Sequence, residues 1–240
     1  MRILVFNSKG GCGKSLVARE IIAAPIAKKM AIVEVDELNR TQESYKQYFS
    51  DVIELQKDNI TDLLIHLNSH ENLTIDVGAD NLSCTMQVLI EYELFDDIDK
   101  VVIPLSTSRS DAENAFKTYN LIHEYTDDIM FAFTMRNKNE RIEQQYDVFF
   151  KNISKINDNF SEKDYIEISA SDVFKEAQSE RKLVVNIAKD GGFKLKALKA
   201  KSEGDDDLFK EFMRKELSHR AAKILMNNCI NPAHEKVFST

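Results

Sequence analysis

Ile3-Leu4-Val5-Phe6-Asn7-Ser8-Lys9-Gly10-Gly11-Cys12-Gly13-Lys14-Ser15-Leu16-Val17 decides the reading of this chain. Ile3 to Asn7 is a short apolar strand signal. A glycine-rich turn follows, and Lys14 opens a helical pattern that runs to about Lys29, with Pro25 expected to bend it near its end. The whole chain of 240 residues has only seven glycines, and three of them fall at Gly10, Gly11 and Gly13. Glycines there let backbone N–H groups turn inward around phosphate oxygens, at the positive N-terminus of the next helix. Lys14 is expected to reach the β- and γ-phosphates, and the Ser15 hydroxyl to bind Mg²⁺.

Outward from this loop, short β-rich runs alternate with longer helical ones. Ala31 to Asp36 reads as a second strand, residues 60–68 as helix, and Leu73 to Asp76 as another strand ending in an acid. A helix around 84–95, a strand Val101–Leu105, a helix around 110–125 and a strand Ile129–Thr134 follow. A long polar helix near 138–157 leads to a short run, Tyr165–Ile168, and a helix near 172–179. This alternation predicts an α/β fold, a mostly parallel twisted sheet with helices on both faces.

Composition narrows the class. Hydrophobic residues at 43% and charged residues at 30% describe a folded globular chain, not a disordered one. Cys12, Cys84 and Cys229 are odd in number with no CxxC spacing, which supports neither a disulfide framework nor a structural zinc site. His66, His70, His123, His219 and His234 lack metal-ligand spacing and are assigned surface roles. No run approaches the ~18 apolar residues of a membrane span, and the first residues lack a signal-peptide core; a reduced, cytoplasmic chain is expected.

The net charge is −8, yet residues 191–240 hold more Lys and Arg than Asp and Glu. Lys194, Lys196, Lys199 and Lys201 form a basic stretch after Gly191-Gly192. Ser202-Glu203-Gly204-Asp205 reads as a capping box before a helix of about 20 residues. Its expected apolar stripe is Leu208, Phe209, Phe212, Met213, Leu217, Ala221, Ile224 and Leu225. The domain reading is 1–190 as the nucleotide-binding body and 191–240 as a basic segment plus amphipathic helix, packing on that body or on a partner.

The loop departs from G-x-x-x-x-G-K-[ST] because position 8 is serine. It resembles instead the deviant Walker A form KGGxGK[ST] of the ParA/MinD family of partition and positioning ATPases. The resemblance implies that Gly10, Gly11, Cys12, Gly13, Lys14, Ser15 and Leu16 hold ATP. It also implies that Lys9 is a signature lysine reaching the partner's phosphates in an ATP-dependent homodimer.

Val33 to Asn39 resembles the family's second strand and its Asp-x-Asp pair, with Asp36 as the first aspartate, a water-mediated Mg²⁺ contact. Position 38 is Leu38 rather than the second aspartate; either Glu37 or Asn39 substitutes, or turnover is slow. Leu73 to Ala79 resembles the Walker B strand and switch II, with Asp76 holding a water on Mg²⁺ and Gly78 approaching the γ-phosphate. Val101 to Leu105 carries Pro104 where the family has a proline. Phe133 to Asn137 resembles the strand ending beside adenine, which makes Asn137 the candidate for base recognition. Ile166–Ile168, Val173–Ser179 and a short extended segment at Lys182–Val185 resemble the last block, so the match spans roughly 1–188.

The implied function is a weak, partner-stimulated ATPase with Lys9, Lys14 and Asp36 as catalytic residues. It would position plasmid or chromosomal DNA with an adaptor or centromere-binding protein, in the cytoplasm or on the nucleoid. Two alternatives stay open: a nucleotide switch with little hydrolysis, and a metabolic ligase on the same scaffold, similar to dethiobiotin synthetase. The lysines at 194–201 are read either as DNA-phosphate contacts or as a solvated linker. Cys12, at a helix N-terminus, is expected to have a lowered pKa if it is reactive at all. The paired cluster cysteines of the family's iron protein are not reproduced around Cys84.

Overall fold

The computed structural model describes residues 1–36 and 41–239. Glu37, Leu38 and Asn39, which bear on the missing aspartate, lie outside the described residues. The chain forms two compact units, one of residues 1–170 with 233–240, the other of residues 171–232. The expected boundary at 190 is not the one between them.

The first unit is built on seven strands: β1 (Arg2–Val5), β2 (Ala31–Val35), β3 (Asp51–Leu55), β4 (Leu73–Val77), β5 (Lys100–Leu105), β6 (Ile129–Arg136) and β7 (Tyr165–Ser169). They lie in the order β3-β2-β4-β1-β5-β6-β7, and every pairing is parallel. The inner strands β2, β4 and β5 are buried along their whole length, as a sheet covered on both faces requires. β3 is the strand that pattern reading misses. Its charged Asp51 and Glu54 are tolerated because it is an edge strand, where only Val52 and Leu55 are buried.

Helices cover the sheet. The helix after the loop opens as α1 (Lys14–Leu16), widens into π turns over Val17–Ala23 and tightens to 3₁₀ turns over Ala24–Lys29. Pro25 stands in the first turn of that last stretch and Ile26 leaves helical geometry (φ −120°, ψ 30°), the bend the sequence anticipated. α2 (Leu63–Ser69), α3 (Leu82–Glu91) and α4 (Arg109–Ile122) follow.

The expected long helix at 138–157 is instead two, α5 (Ile142–Gln145) and α6 (Asp147–Ile156), broken at Tyr146 (φ −116°, ψ 38°). Tyr146 is buried and donates its hydroxyl to the Thr134 carbonyl, so a tertiary bond overrides the helical run. Next to it, Phe131 and Phe133 of β6 pack edge-on against Phe149 at 4.7 and 5.0 Å.

The second unit holds α7 (Asp172–Ser179), α8 (Val184–Lys189), α9 (Phe193–Ser202) and α10 (Asp206–Leu225), and α11 (Asn231–Phe238) then returns the chain to the first. Val184 and Val185, expected to be extended, are helical, and the basic stretch is a helix rather than a linker. The capping residue of α10 is Asp205, which accepts from Leu208 N at 2.9 Å, while Ser202 closes α9.

The buried face of α10 is Glu216, His219, Ala222 and Leu225, where His219 Nδ1 donates to the Ile187 carbonyl at 3.1 Å. The expected stripe is therefore corrected: Leu217 and Ile224 are exposed at 63% and 59%. Among the described residues, no helix is long and apolar enough to cross a membrane.

Candidate functional site

Residues 6–13 leave the C-terminal end of the central strand β1 and turn into α1. Gly11 (φ 78°) and Gly13 (φ 94°) take left-handed backbone geometry that side chains disfavour. A Cβ on Gly13 would also lie 3.0 Å from Thr134 Cγ2.

The loop is propped from three sides. Thr134 Oγ1 of β6 lies 3.0 Å from Cys12 O and 3.1 Å from Leu105 O. Asn7 Nδ2 donates to Pro104 O, while its Oδ1 accepts from Lys9 N at 3.0 Å. Thr118 Oγ1 of α4 accepts from Ser8 N at 3.2 Å. Pro104 thus sits where the β1 ladder has ended and a side chain, not a backbone N–H, completes the pairing.

Lys14 is 8% exposed, and its Nζ donates to Lys9 O at 2.8 Å. Cys12 is buried with Sγ 3.2 Å from the same carbonyl. Burial pushes the Cys12 thiol up, against the pull of Lys14, the opposite direction from the expected lowering. Lys9 is half-buried near Asp111 of α4. Burial opposes the charge of Asp111, but bonds from Ser106 and Ser108 and the charge of Lys9 outweigh it, and the carboxyl falls below its ordinary pKa.

Across the loop, Glu34 of β2 stands in register with Asp76 of β4. Asp76 is 3% exposed and accepts from Gln42 Nε2 at 3.0 Å. Burial lifts its pKa, while the Gln42 bond, the nearby Ser15 hydroxyl and the charges of Lys14 and Arg19 hold it down. Glu34 accepts from Thr41 N, Thr41 Oγ1 and Gln42 N at 2.9, 3.0 and 2.9 Å. Burial nevertheless pushes it up to about 7, with Asp76 adding to the rise.

Asp36 ends this strand against Gly78, whose N–H bonds Val35 O at 2.8 Å. A Cβ at Gly78 would fall 2.6 Å from Asp36 Oδ2, so close approach, not φ, demands the glycine.

These oxygen donors suit Mg²⁺. Among the described residues no group of three or more His, Cys, Asp or Glu is placed to hold a metal ion.

Lys9–Gly13 form the loop that leads into Lys14–Leu16 of α1, and Gly78 closely approaches Asp36. Asn137 stands apart. Its Nδ2 donates to Glu140 and its Oδ1 accepts from Asn139 N, so both ends of the amide hold its own turn. Sequence reading misses Asn7, Glu34, Gln42, Asp111, Thr118 and Thr134. Each is a polar residue in an ordinary pattern; Asn7, Gln42, Thr118 and Thr134 bond partners distant in the chain, while Glu34 and Asp111 bond Thr41, Gln42, Ser106 and Ser108 nearby.

No protein-family model and no curated protein matches the chain. Solved structures do. MinD of Pyrococcus horikoshii OT3, complexed with Mg-ADP, is 14% identical over 93% of this chain and 99% of that one, with a TM-score of 0.54. The MinC:MinD cell division protein complex of Aquifex aeolicus gives 12% identity, 95% and 97% coverage and a TM-score of 0.52. A plasmid partition protein of Borrelia burgdorferi B31 bound to AMPPNP gives 16% identity, 90% and 97% coverage and a TM-score of 0.50. The likeness establishes the fold: the α/β architecture with a parallel sheet that the sequence reading expected, here of seven strands.

Proposed function

We propose that this chain binds ATP with Mg²⁺ at the loop between β1 and α1, dimerises in the ATP state, and works as a ParA-like positioning ATPase. Its cargo is plasmid or chromosomal DNA, engaged with an adaptor or centromere-binding protein. The reading rests on buried Lys14, whose ammonium folds back onto Lys9 O across a loop in which Gly11 and Gly13 take left-handed geometry at the start of α1. Neighbours of the same fold carry AMPPNP or Mg-ADP.

In this reading Lys14 exchanges its neutral acceptor, Lys9 O, for phosphate oxygens whose negative charge matches the ammonium. Backbone N–H groups of Gly10 to Ser15 cradle the phosphates, and Ser15 and Asp76 orient the ion and its waters, with Asp36 at the neighbouring strand tip. Mg²⁺ supplies charge neutralisation on the phosphates when bound. Lys9, drawn toward Asp111 in the single chain, moves to the partner's phosphates in the dimer. Leu38 in place of an acid keeps unstimulated turnover low, which also favours the second reading, a nucleotide switch with little hydrolysis.

Two variants test the proposal. Lys14→Ala is expected to abolish binding of a fluorescent ATP analogue. Lys9→Ala should retain binding while losing the ATP-dependent dimer seen by light scattering. A wild-type chain that binds ATP yet hydrolyses it as a monomer, unaffected by Lys9→Ala, refutes the positioning role and favours a ligase.

A further inference from the structure

Gln42 is fully buried, and its two amide ends have different fates. Nε2 donates to Asp76 Oδ2 at 3.0 Å, whereas Oε1 is buried with no hydrogen-bond partner. The amide cannot be turned over to relieve this, because Oε1 would then face the Asp76 carboxylate, acceptor against acceptor. The backbone is pinned as well: Gln42 N donates to Glu34 Oε2 at 2.9 Å, and Gln42 O accepts from Tyr45 N at 2.8 Å. A glutamine serving packing alone gains nothing from an orphaned buried carbonyl, which is ordinarily destabilising.

The orphaned oxygen belongs to the same amide that grips Asp76, the carboxylate assigned above to the ion and its waters. A buried acceptor on that amide suits a donor brought by the ion, a water polarised by Mg²⁺. We infer that Gln42 is a positioning residue of the magnesium site. Nε2 fixes the rotation of Asp76, and Oε1 accepts a hydrogen bond from a water of the ion. This rests on the Mg²⁺–nucleotide reading above and adds to it a residue whose role no sequence pattern signals. Outer-shell partners of this kind typically change metal affinity by 10–100-fold when removed.

The test uses the full chain and a fluorescent ATP analogue, titrated once in EDTA and once against Mg²⁺. Gln42→Met keeps the side-chain length and removes both polar ends; Gln42→Asn keeps the amide but shortens its reach. For both, affinity in EDTA is expected to stay within about twofold of wild type, while half-saturating Mg²⁺ rises about tenfold or more. Gln42→Met removes the unsatisfied Oε1 but also the Nε2 bond to buried Asp76, so some loss of melting temperature in EDTA is expected with either role, and the Mg²⁺ midpoint is the discriminating readout. A purely structural glutamine predicts an unshifted Mg²⁺ midpoint.

If Gln42→Met does not fold, the structural role wins and the inference falls. If both variants fold and keep the wild-type Mg²⁺ midpoint, the inference falls while the ATP reading stands. If wild type binds no nucleotide with or without Mg²⁺, both fall together.

Discussion

Glu34 carries the clearest pH consequence of any single residue. Burial, reinforced by Asp76, raises its folded pKa from 4.5 to about 7, even though three donors solvate the carboxylate. The folded state therefore favours the neutral acid. The stability this group contributes is complete below about pH 4.5 and is lost as pH rises through 7. Wild type should lose about 3 kcal/mol relative to Glu34→Gln between pH 4.5 and 7.5. Urea midpoints across that range check it, and a pH-independent difference refutes it. Nothing in the run Ala31-Ile32-Val33-Glu34-Val35 announces this acid, since its partners Thr41 and Gln42 lie beyond the strand and Asp76 lies on another. Lys9 to Ser15 could be read directly because the demand for glycine there is local, written in backbone geometry. Gln42 and Thr134 act through distant atoms, and a single polar residue in a loop or strand carries no trace of that.

At the level of elements, β5 is tied to α11 by one buried cation. Lys100 is 5% exposed, and its Nζ donates to Val237 O at 3.0 Å and Ser239 O at 3.2 Å, with Asp128 at 3.6 Å. A lysine at the last carbonyls of a helix satisfies acceptors that have no intrahelical partner. Lys100→Met keeps the stem and removes the charge; it should cost about 1–3 kcal/mol. Hydrogen exchange should accelerate over residues 233–238 while β1 and β4 stay protected; unchanged exchange there refutes the clamp. Elements with strong period were legible: β1, β2, β4 and β5 as apolar runs, α10 by its length. Those decided by tertiary contact were not. β3 has the charges of an exposed segment because it is an edge, and Tyr146 interrupts a helical pattern to reach Thr134. In α10 the buried set follows the neighbours α8 and α9 rather than the richest apolar stripe.

For the molecule as a whole, charge is unevenly shared between an acidic body and the basic α9. Lys196 lies over the rings of Phe193 and Phe212, and Lys201 over Phe209, so packing already engages these ammonium groups. Lys194 and Lys199 carry no such ring contact, though Lys199 faces Glu203 at 3.8 Å. If α9 binds DNA phosphates, Lys194→Glu with Lys199→Glu should lower the log–log salt slope of ATP-dependent DNA retention by about 2. An unchanged slope in filter-binding titrations moves the contact elsewhere. The position of β1 bears on biosynthesis. Its two ladder partners, β4 and β5, follow it by about 70 and 100 residues. At about 5–20 residues per second, the ribosome delivers the second partner some 5–20 s after Ile3–Phe6 emerges. Through that interval the most central strand is an apolar segment without its ladder partners, open to contact with other chains.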